Sequence, residues 1–420
     1  MMVNRRGLLK GAGALAGAAS VSASPLAAMQ AHDKVALPTP ITAAERLSRI
    51  AKAQSLMASH DIGAVLIESG PSLDYFTGVQ WGRSERLTGA VIPVEGDPII
   101  VTPFFEKPSV EESLVVPAEV RTWHEDVEPL GVVAEFLHEK RLADRAIGME
   151  ETNRYFIHDR LKAELPGARI VSANPVVRGC RMFKTPAELA LMQAASDITL
   201  ASIGAVMPKV RPGMSERDVS AMLREEQVAR GGRGPWALVL FGAAAALPHG
   251  TGKPQQLEAG QVVLVDTGCS VHGYQSDISR TWVMGTPSAK QRAVWNHMAE
   301  GQQVARRACI VGAPAGSVDD AVRAYYESLG YGPDYALPGL SHRTGHGIGM
   351  QGHEPVNLVR GETEPLAPGM CFSNEPGLYL PGEFGIRLED CFVMTPTGPR
   401  WFSIPPTSID EPLGRSGARA

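Results

Sequence analysis

Short apolar runs set against polar turns mark out the first part of the chain. Ala64-Val-Leu-Ile67, Thr88-Gly-Ala-Val-Ile-Pro-Val94 and Ile99-Ile-Val-Thr102 have strand length, and Glu95-Gly-Asp97 joins the last two. Ahead of them Thr42-Ala-Ala-Glu45 has the form of a capping box. Leu47, Ile50, Gln54 and Met57 then recur along one face of a helix that runs to His60. A helix over Val132 to Leu142, a strand at Ala146 to Met149, a helix from Tyr155 to Glu164 and a strand at Arg169 to Ser172 follow. Such alternation predicts an α/β domain over residues 41–175. His124, His138 and His158 stand alone in it, with no spacing that suggests catalysis. The loop cluster Trp81-Gly-Arg83-Ser-Glu-Arg86 has the chemistry to reach toward a substrate or a neighbouring subunit.

From residue 180 the pattern changes to long helices in pairs. Thr185-Pro-Ala-Glu188 supplies an N-cap, a proline at the first helical position and an acid at the third, for a helix to about Met207. Ser215 with Asp218 opens a second helix through Arg230. The device returns when Thr286-Pro287 opens a helix through Ile310 and Ser317 with Asp320 opens another through Leu329. The displacement of 101 to 102 residues indicates an internal duplication.

After the first helix pair, Val262 to Val265 reads as a buried strand leading into Asp266. Asp277 lies eleven residues on, on the returning arm of a β-hairpin. After the second pair, an apolar stretch carries Glu375 in Ser373-Asn-Glu-Pro-Gly377 and Glu389 in Gly385-Ile-Arg-Leu-Glu-Asp390. Asp266 and Glu375 are 109 apart and Asp277 and Glu389 are 112 apart, so each half would bring two acids to one centre.

Composition narrows the field. With 420 residues, 44% of them hydrophobic and 20% charged, the chain is an ordinary globular sequence with room for two domains. A formal charge of -5 and the lack of a basic, aromatic-interleaved run argue against nucleic acid as a partner. The five cysteines are scattered, odd in number and without C-x-x-C spacing, which predicts free buried thiols. Residues 1–31, with Arg5-Arg6, Lys10, a short Gly- and Ala-rich apolar core and small residues toward Ala28 and Ala31, resemble a twin-arginine export signal. The expectation is a periplasmic product with no stable membrane span.

An acid at the end of a buried strand requires a compensating charge, and two acids on adjacent strands repel unless a cation lies between them. Asp266, Asp277, Glu375, Glu389 and His346 form a donor set suited to two divalent ions. His346 lies in His342-Arg-Thr-Gly-His-Gly-Ile-Gly349, whose glycines oppose a regular helix. A zincin reading of His342 and His346 fails, because Arg343 stands where the glutamate belongs.

These motifs together resemble the pita-bread fold of Xaa-Pro peptidases and methionine aminopeptidases over about residues 180–405. The preceding domain resembles the creatinase-type N-terminal domain of prolidases and aminopeptidases P. The fold class implied is α/β (α+β) in two domains, creatinase-like over 41–175 and pseudo-twofold pita-bread over 180–405, with 406–420 as a C-terminal tail. The resemblance implies that Asp266 chelates one metal, that Asp277 and Glu389 bridge both, and that His346 and Glu375 bind the other. It implies a metal-bridging hydroxide as nucleophile, with Glu375 as the acid-base. His249 and His353 would serve as outer histidines that orient substrate and stabilise the oxyanion, and His342 as a further pocket histidine. Arg387, two residues before Glu389 on a strand, would orient that carboxylate or meet a substrate carboxylate. The implied reaction is hydrolysis of the bond on the N-terminal side of proline, in a peptide with proline at the second position. The implied ions are two Mn(II), with Co, Zn or Fe as alternatives, and the implied assembly is a homodimer. Small-amide hydrolases and metal-dependent lyases of the same fold are the alternative, and a peptidase-like binding module is a third class.

Overall fold

The computed structural model describes residues 37–417, and the segment read as an export signal, residues 1–31, lies outside the described residues. The N-terminal sheet has six strands in the order Glu119–Trp123, Ile99–Pro103, Gly89–Pro93, Ile62–Glu68, Ala146–Met149 and Arg169–Ser172. Its antiparallel centre is flanked by parallel pairs on both sides. Alternate residues of one strand serve opposite faces. Val65 and Ile67 pack with Ile50, Ala53 and Met57 of the helix Ala43–Ser59. Ala64 and Leu66 pack with Leu130, Val133 and Leu137 of Pro129–Glu139 and with Ile157 and Leu161 of Tyr155–Glu164. Both faces are therefore covered, which explains runs that are apolar throughout.

Two details of the first helix differ from expectation. The Thr42 hydroxyl accepts from Glu45 N at 3.2 Å, but the Glu45 carboxylate accepts from the Thr185 hydroxyl at 2.7 Å instead of closing the capping box. The inward face carries Arg46 and Arg49, while Leu47 is 42% exposed. Those two cations have polar work at the domain junction: Arg46 bonds Asp74 at 2.9 Å, and Arg49 bonds Tyr75 O at 2.9 Å and the Tyr274 hydroxyl at 3.0 Å. The Trp81 to Arg86 loop is tied back onto its own domain, with Arg83 on Ser69 O and Thr152 and Arg86 on Glu125.

The C-terminal domain has two halves, each with a helix pair and a sheet. Pro186–Val206 and Glu216–Ala229 accompany the strands Arg233–Phe241, Val262–Val271 and Ile278–Val283. Ala289–Ala308 and Gly316–Ser328 accompany a five-stranded sheet ordered Glu354–Leu358, Gly345–Gly347, Cys371–Asn374, Asp390–Thr395 and Gly398–Trp401. Capping boxes at Thr185 and Ser215 start the first pair as expected. In the second pair the cap is Ser288 rather than Thr286, and the last helix begins at Gly316 without a side-chain cap. Ser317 instead donates to Pro314 O, and Asp320 is taken by Arg360. The helix Pro186–Lys209 is long and apolar enough to cross a membrane, but much of it is buried in the fold.

The described part of the expected 406–420 tail belongs to this domain. Arg415–Ser416 pairs with Ser403–Ile404, and Leu413 O accepts from Arg280 Nε at 2.6 Å. All five cysteines are buried and free.

Candidate active site

The strand Val262–Val271 pairs along both edges, so Asp266 is held opposite Leu238 on one side and Ser279 on the other. It shares a face with Val262 and Leu264. Asp277 lies where the chain returns, just before Ile278–Val283, and is 5% exposed. The second half meets the first through main chain. Ser279 and Glu389 form an antiparallel bridge, with Ser279 N to Glu389 O at 3.3 Å and Glu389 N to Ser279 O at 3.1 Å. Glu389 Oε2 also accepts from the Ser279 hydroxyl at 2.9 Å.

His346 sits on the three-residue strand Gly345–Gly347. A Cβ at Gly345 would lie 2.2 Å from Ser373 O, so glycine is what lets this strand approach its neighbour. His346 Nδ1 is 3.0 Å from Gly347 O, which requires Nδ1 to carry the hydrogen and leaves Nε2 facing acids. Nε2 is 3.3 Å from Glu375 Oε1 and 3.9 Å from both Asp277 Oδ2 and Glu389 Oε1. Glu375 follows the strand Cys371–Asn374, its N–H fixed on Thr344 O at 2.9 Å.

The five residues expected from the sequence as metal ligands are thus brought to one place. Asp266, Asp277 and Glu389 form one group with oxygens within 4.8 Å of one another, and His346, Glu375 and Glu389 form a second. Burial and the neighbouring acids push the carboxyls of Asp277 and Glu389 well above the usual range. Burial acts on Glu375 in the same direction, but the hydrogen bond and charge of His346 outweigh it and hold Glu375 at about 2. Asp266 Oδ1, Asp277 Oδ1 and Glu389 Oε1 are buried without a hydrogen-bond partner among the described residues. Three unpartnered acid oxygens and one imidazole nitrogen converging on one volume fit divalent cations.

Arg387 differs from the expectation in its partner. Its Nη2 bonds Asp266 Oδ2 at 2.5 Å, its Nε bonds the Ser279 hydroxyl at 2.9 Å, and its Nη1 reaches Pro248 O and the Tyr379 hydroxyl, each at 3.2 Å. The distance to Glu389 is 3.9 Å. The guanidinium is buried and four of its five N–H donors are taken by these groups, so its main work is to hold Asp266.

The outer histidines line the same cavity of about 940 Å³. His342 Nδ1 donates to Arg343 O at 2.8 Å, so Nε2 accepts from the Tyr379 hydroxyl at 2.7 Å. Burial lowers this histidine to about 4 and keeps it neutral. The His353 ring lies 4.0 Å from that of His346, and Arg343 Nη2 donates to His353 Nδ1 at 3.3 Å. Burial and the adjoining His346 lower His353 to about 4 as well. His249 lines the cavity close to Pro248.

Sequence reading missed Tyr379 and the apolar wall of Trp236, Leu238, Tyr335 and Val359. Tyr379 had only a faint signal, an aromatic residue two places after Gly377 in the turn that carries Glu375. The wall had none, because its residues come from three distant segments. Trp81 through Arg86 do not line this cavity. A larger cavity of about 1110 Å³ beside Trp295 and Trp401 has Glu300 and Arg306 on its wall but no histidine.

Comparison with known proteins matches both domains. The model of metallopeptidase family M24 matches residues 190–396, and that of the creatinase/prolidase N-terminal domain matches residues 49–183. An Xaa-Pro dipeptidase of Lactobacillus helveticus is 30% identical over 84% of this chain and 95% of its own. A probable dipeptidase PepE of Mycobacterium tuberculosis is 32% identical over 83% of this chain and 92% of its own. Among solved structures, dipeptidase PepE of Mycobacterium ulcerans superposes with a TM-score of 0.80 at 31% identity, covering 88% of this chain and 98% of that one. A prolidase of Thermococcus sibiricus gives 0.77 at 27% identity, covering 85% and 96%.

Proposed function

Because the chain belongs to metallopeptidase family M24 and is a peptidase by that membership, we propose that it hydrolyses the bond on the N-terminal side of proline in short peptides, as a prolidase or aminopeptidase P. The observation that carries this reading is the convergence of Asp266, Asp277, His346, Glu375 and Glu389, from both halves of the domain, with three unpartnered acid oxygens among them. These five would hold two divalent cations, with Mn(II) the favoured ion. Such ions, when bound, lower the pKa of water toward neutrality and polarise a scissile carbonyl.

The chain's own residues do the rest. Arg387 neutralises Asp266 and fixes its free oxygen toward Asp277. Glu375, held on the main chain at Thr344, takes a proton from the attacking water and passes it to the leaving nitrogen. His353 and His249, on the cavity wall, orient the substrate and stabilise negative charge on the carbonyl oxygen. His353 is suited to donation, since its Nδ1 accepts from Arg343 and its Nε2 therefore carries the hydrogen. His342, neutral and bonded to Tyr379, maintains the order Arg387 to Tyr379 to His342 along one wall. Trp236, Leu238, Tyr335 and Val359 offer the apolar surface that a proline ring would bury. We propose further that the chain is exported to the periplasm through residues 1–31 and acts as a homodimer.

Mass spectrometry of products from Xaa-Pro dipeptides, longer Xaa-Pro peptides and proline-free controls, with and without Mn(II), tests the reading. Release of the N-terminal residue from proline substrates alone, dependent on the ion, is the expected outcome. No cleavage of any proline substrate would refute it in favour of a small-amide hydrolase or lyase.

A further inference from the structure

The turn that presents His353 is held by a carboxylate which the proposed chemistry does not use. Glu354 follows His353 directly and is 5% exposed. Its Oε1 accepts from Arg181 Nη2 at 2.5 Å and from Gln351 N at 3.1 Å, and its Oε2 accepts from Lys184 Nζ at 3.1 Å. Arg181 Nη2 also donates to Gln351 Oε1 at 3.0 Å, so both ends of the turn are gripped by one guanidinium. The other arm of Arg181 donates to the Ser72 hydroxyl at 2.8 Å, and Ser72 donates to Glu150 at 2.7 Å, both in the N-terminal domain.

The carboxylate sits against the backbone of the hairpin. A Cβ at Gly349 would lie 2.7 Å from Glu354 Oε2 and 2.8 Å from Lys184 Cε. The strands on either side, Gly345–Gly347 and Glu354–Leu358, pair Gly347 with Glu354 and His346 with Asn357. One hairpin therefore carries His346 on its first strand and His353 at its turn. A buried ion cluster is a weak source of stability compared with apolar packing of the same volume. Its place here is accounted for by geometry: it fixes in which direction the turn points.

We infer that Glu354, clamped by Arg181 and Lys184, is a positioning residue that sets the orientation of His353 toward the scissile bond. The inference rests on the role given to His353 in the proposed function. It makes the start of the C-terminal domain, where Arg181 and Lys184 lie and from which Arg181 reaches Ser72, part of the catalytic geometry.

The test is a double-mutant cycle on the full chain with Mn(II) and an Xaa-Pro dipeptide, reading kcat and KM separately and the bound metal by mass spectrometry. Glu354→Gln is expected to lower kcat roughly tenfold to a hundredfold, the range seen when supporting partners of site residues are removed, with KM and metal content little changed. In a His353→Ala background the same substitution is expected to cost nothing more, since it acts through the group already removed. Glu354→Asp, which keeps the charge, is expected to recover part of the loss. If Glu354→Gln fails to fold, Arg181→Lys takes its place in the cycle. Losses that multiply, or a wild-type kcat in Glu354→Gln, would overturn the positioning role while leaving the peptidase reading intact. A wild-type kcat in His353→Ala would overturn the role of His353, and this inference with it.

Discussion

Replacing Asp277 by asparagine is expected to stabilise the metal-free protein while abolishing its hydrolysis. Four acids share the site with one guanidinium, and that guanidinium is spent on Asp266. The oxygens of Asp266, Asp277 and Glu389 lie within 4.8 Å of one another. At this separation two unit charges repel by about 3.5 kcal/mol at an effective dielectric constant of about 20. For a chain of this size the unfolding entropy is on the order of 0.8 kcal/mol/K, so relief of one such pair raises Tm by about 4 °C. The sign with pH follows from the raised carboxyls of Asp277 and Glu389. An acid that binds its proton more tightly in the folded state costs stability as pH rises past its unfolded value, at about 4. The advantage of Asp277→Asn therefore closes below about pH 4 and grows as pH rises above it. Calorimetry on chelator-stripped protein measures it. Repeating the scan with saturating Mn(II) should invert the order, because the wild type alone gains the full stabilisation of ion binding. A stripped Asp277→Asn protein that melts at or below the wild type at about pH 8 would refute the repulsion reasoning.

Other expectations follow from the same geometry. Glu375→Ala and Asp266→Ala should each abolish hydrolysis with the circular dichroism spectrum unchanged, and full activity in either would remove the metal-centred mechanism. Burial favours the neutral form of Glu354, but Arg181 and Lys184 overcome it and lower the carboxyl from 4.5 to about 2. The stability it contributes is complete above 4.5 and disappears as pH falls toward 2, so an acid melting series should lose that segment in Glu354→Gln. Arg280 and Asp390 form a pair with no exposed surface, and Arg280→Met strands the acid at a cost of about 3–5 kcal/mol. Adding Asp390→Asn should return part of this in thermal melts. Gly345→Ala would push a methyl against Ser373 O and displace His346, so bound metal counted by mass spectrometry should fall while the N-terminal domain stays folded.

How much of this was readable in the sequence depends on whether the signal was local. The helix starts at Thr185 and Ser215 were readable because the cap and its partner lie within four residues. The ligand set was readable because each acid sits in a short motif and the halves repeat. The strand Glu119–Trp123 was not, since at the sheet edge it keeps charged Glu119 and Arg121 and lacks an apolar run. Arg46 and Arg49 on an inward helix face contradict the apolar stripe, and their partners are Asp74 and Tyr274, far along the chain. Arg387 reads from the sequence as lying on one strand with Glu389; it falls between Phe384–Ile386 and Asp390–Thr395, 3.9 Å from Glu389, and its hydrogen bond goes to Asp266. Its two-residue spacing from Glu389 was visible, but the reach across to Asp266 depends on how the two halves meet.

The main-chain bridge between Ser279 and Glu389 has a consequence for divergence. Side chains vary freely between homologous sequences, but the width of this joint is set by atoms that every residue shares. The frame that spaces the four acids is a caliper whose opening no exchange at the rim directly resets. Trp236, Leu238, Tyr335 and Val359 stand outside the caliper, on the walls alone. Selection can therefore re-cut the mouth for a new side chain or chain length one residue at a time, with the reacting centre intact at each step.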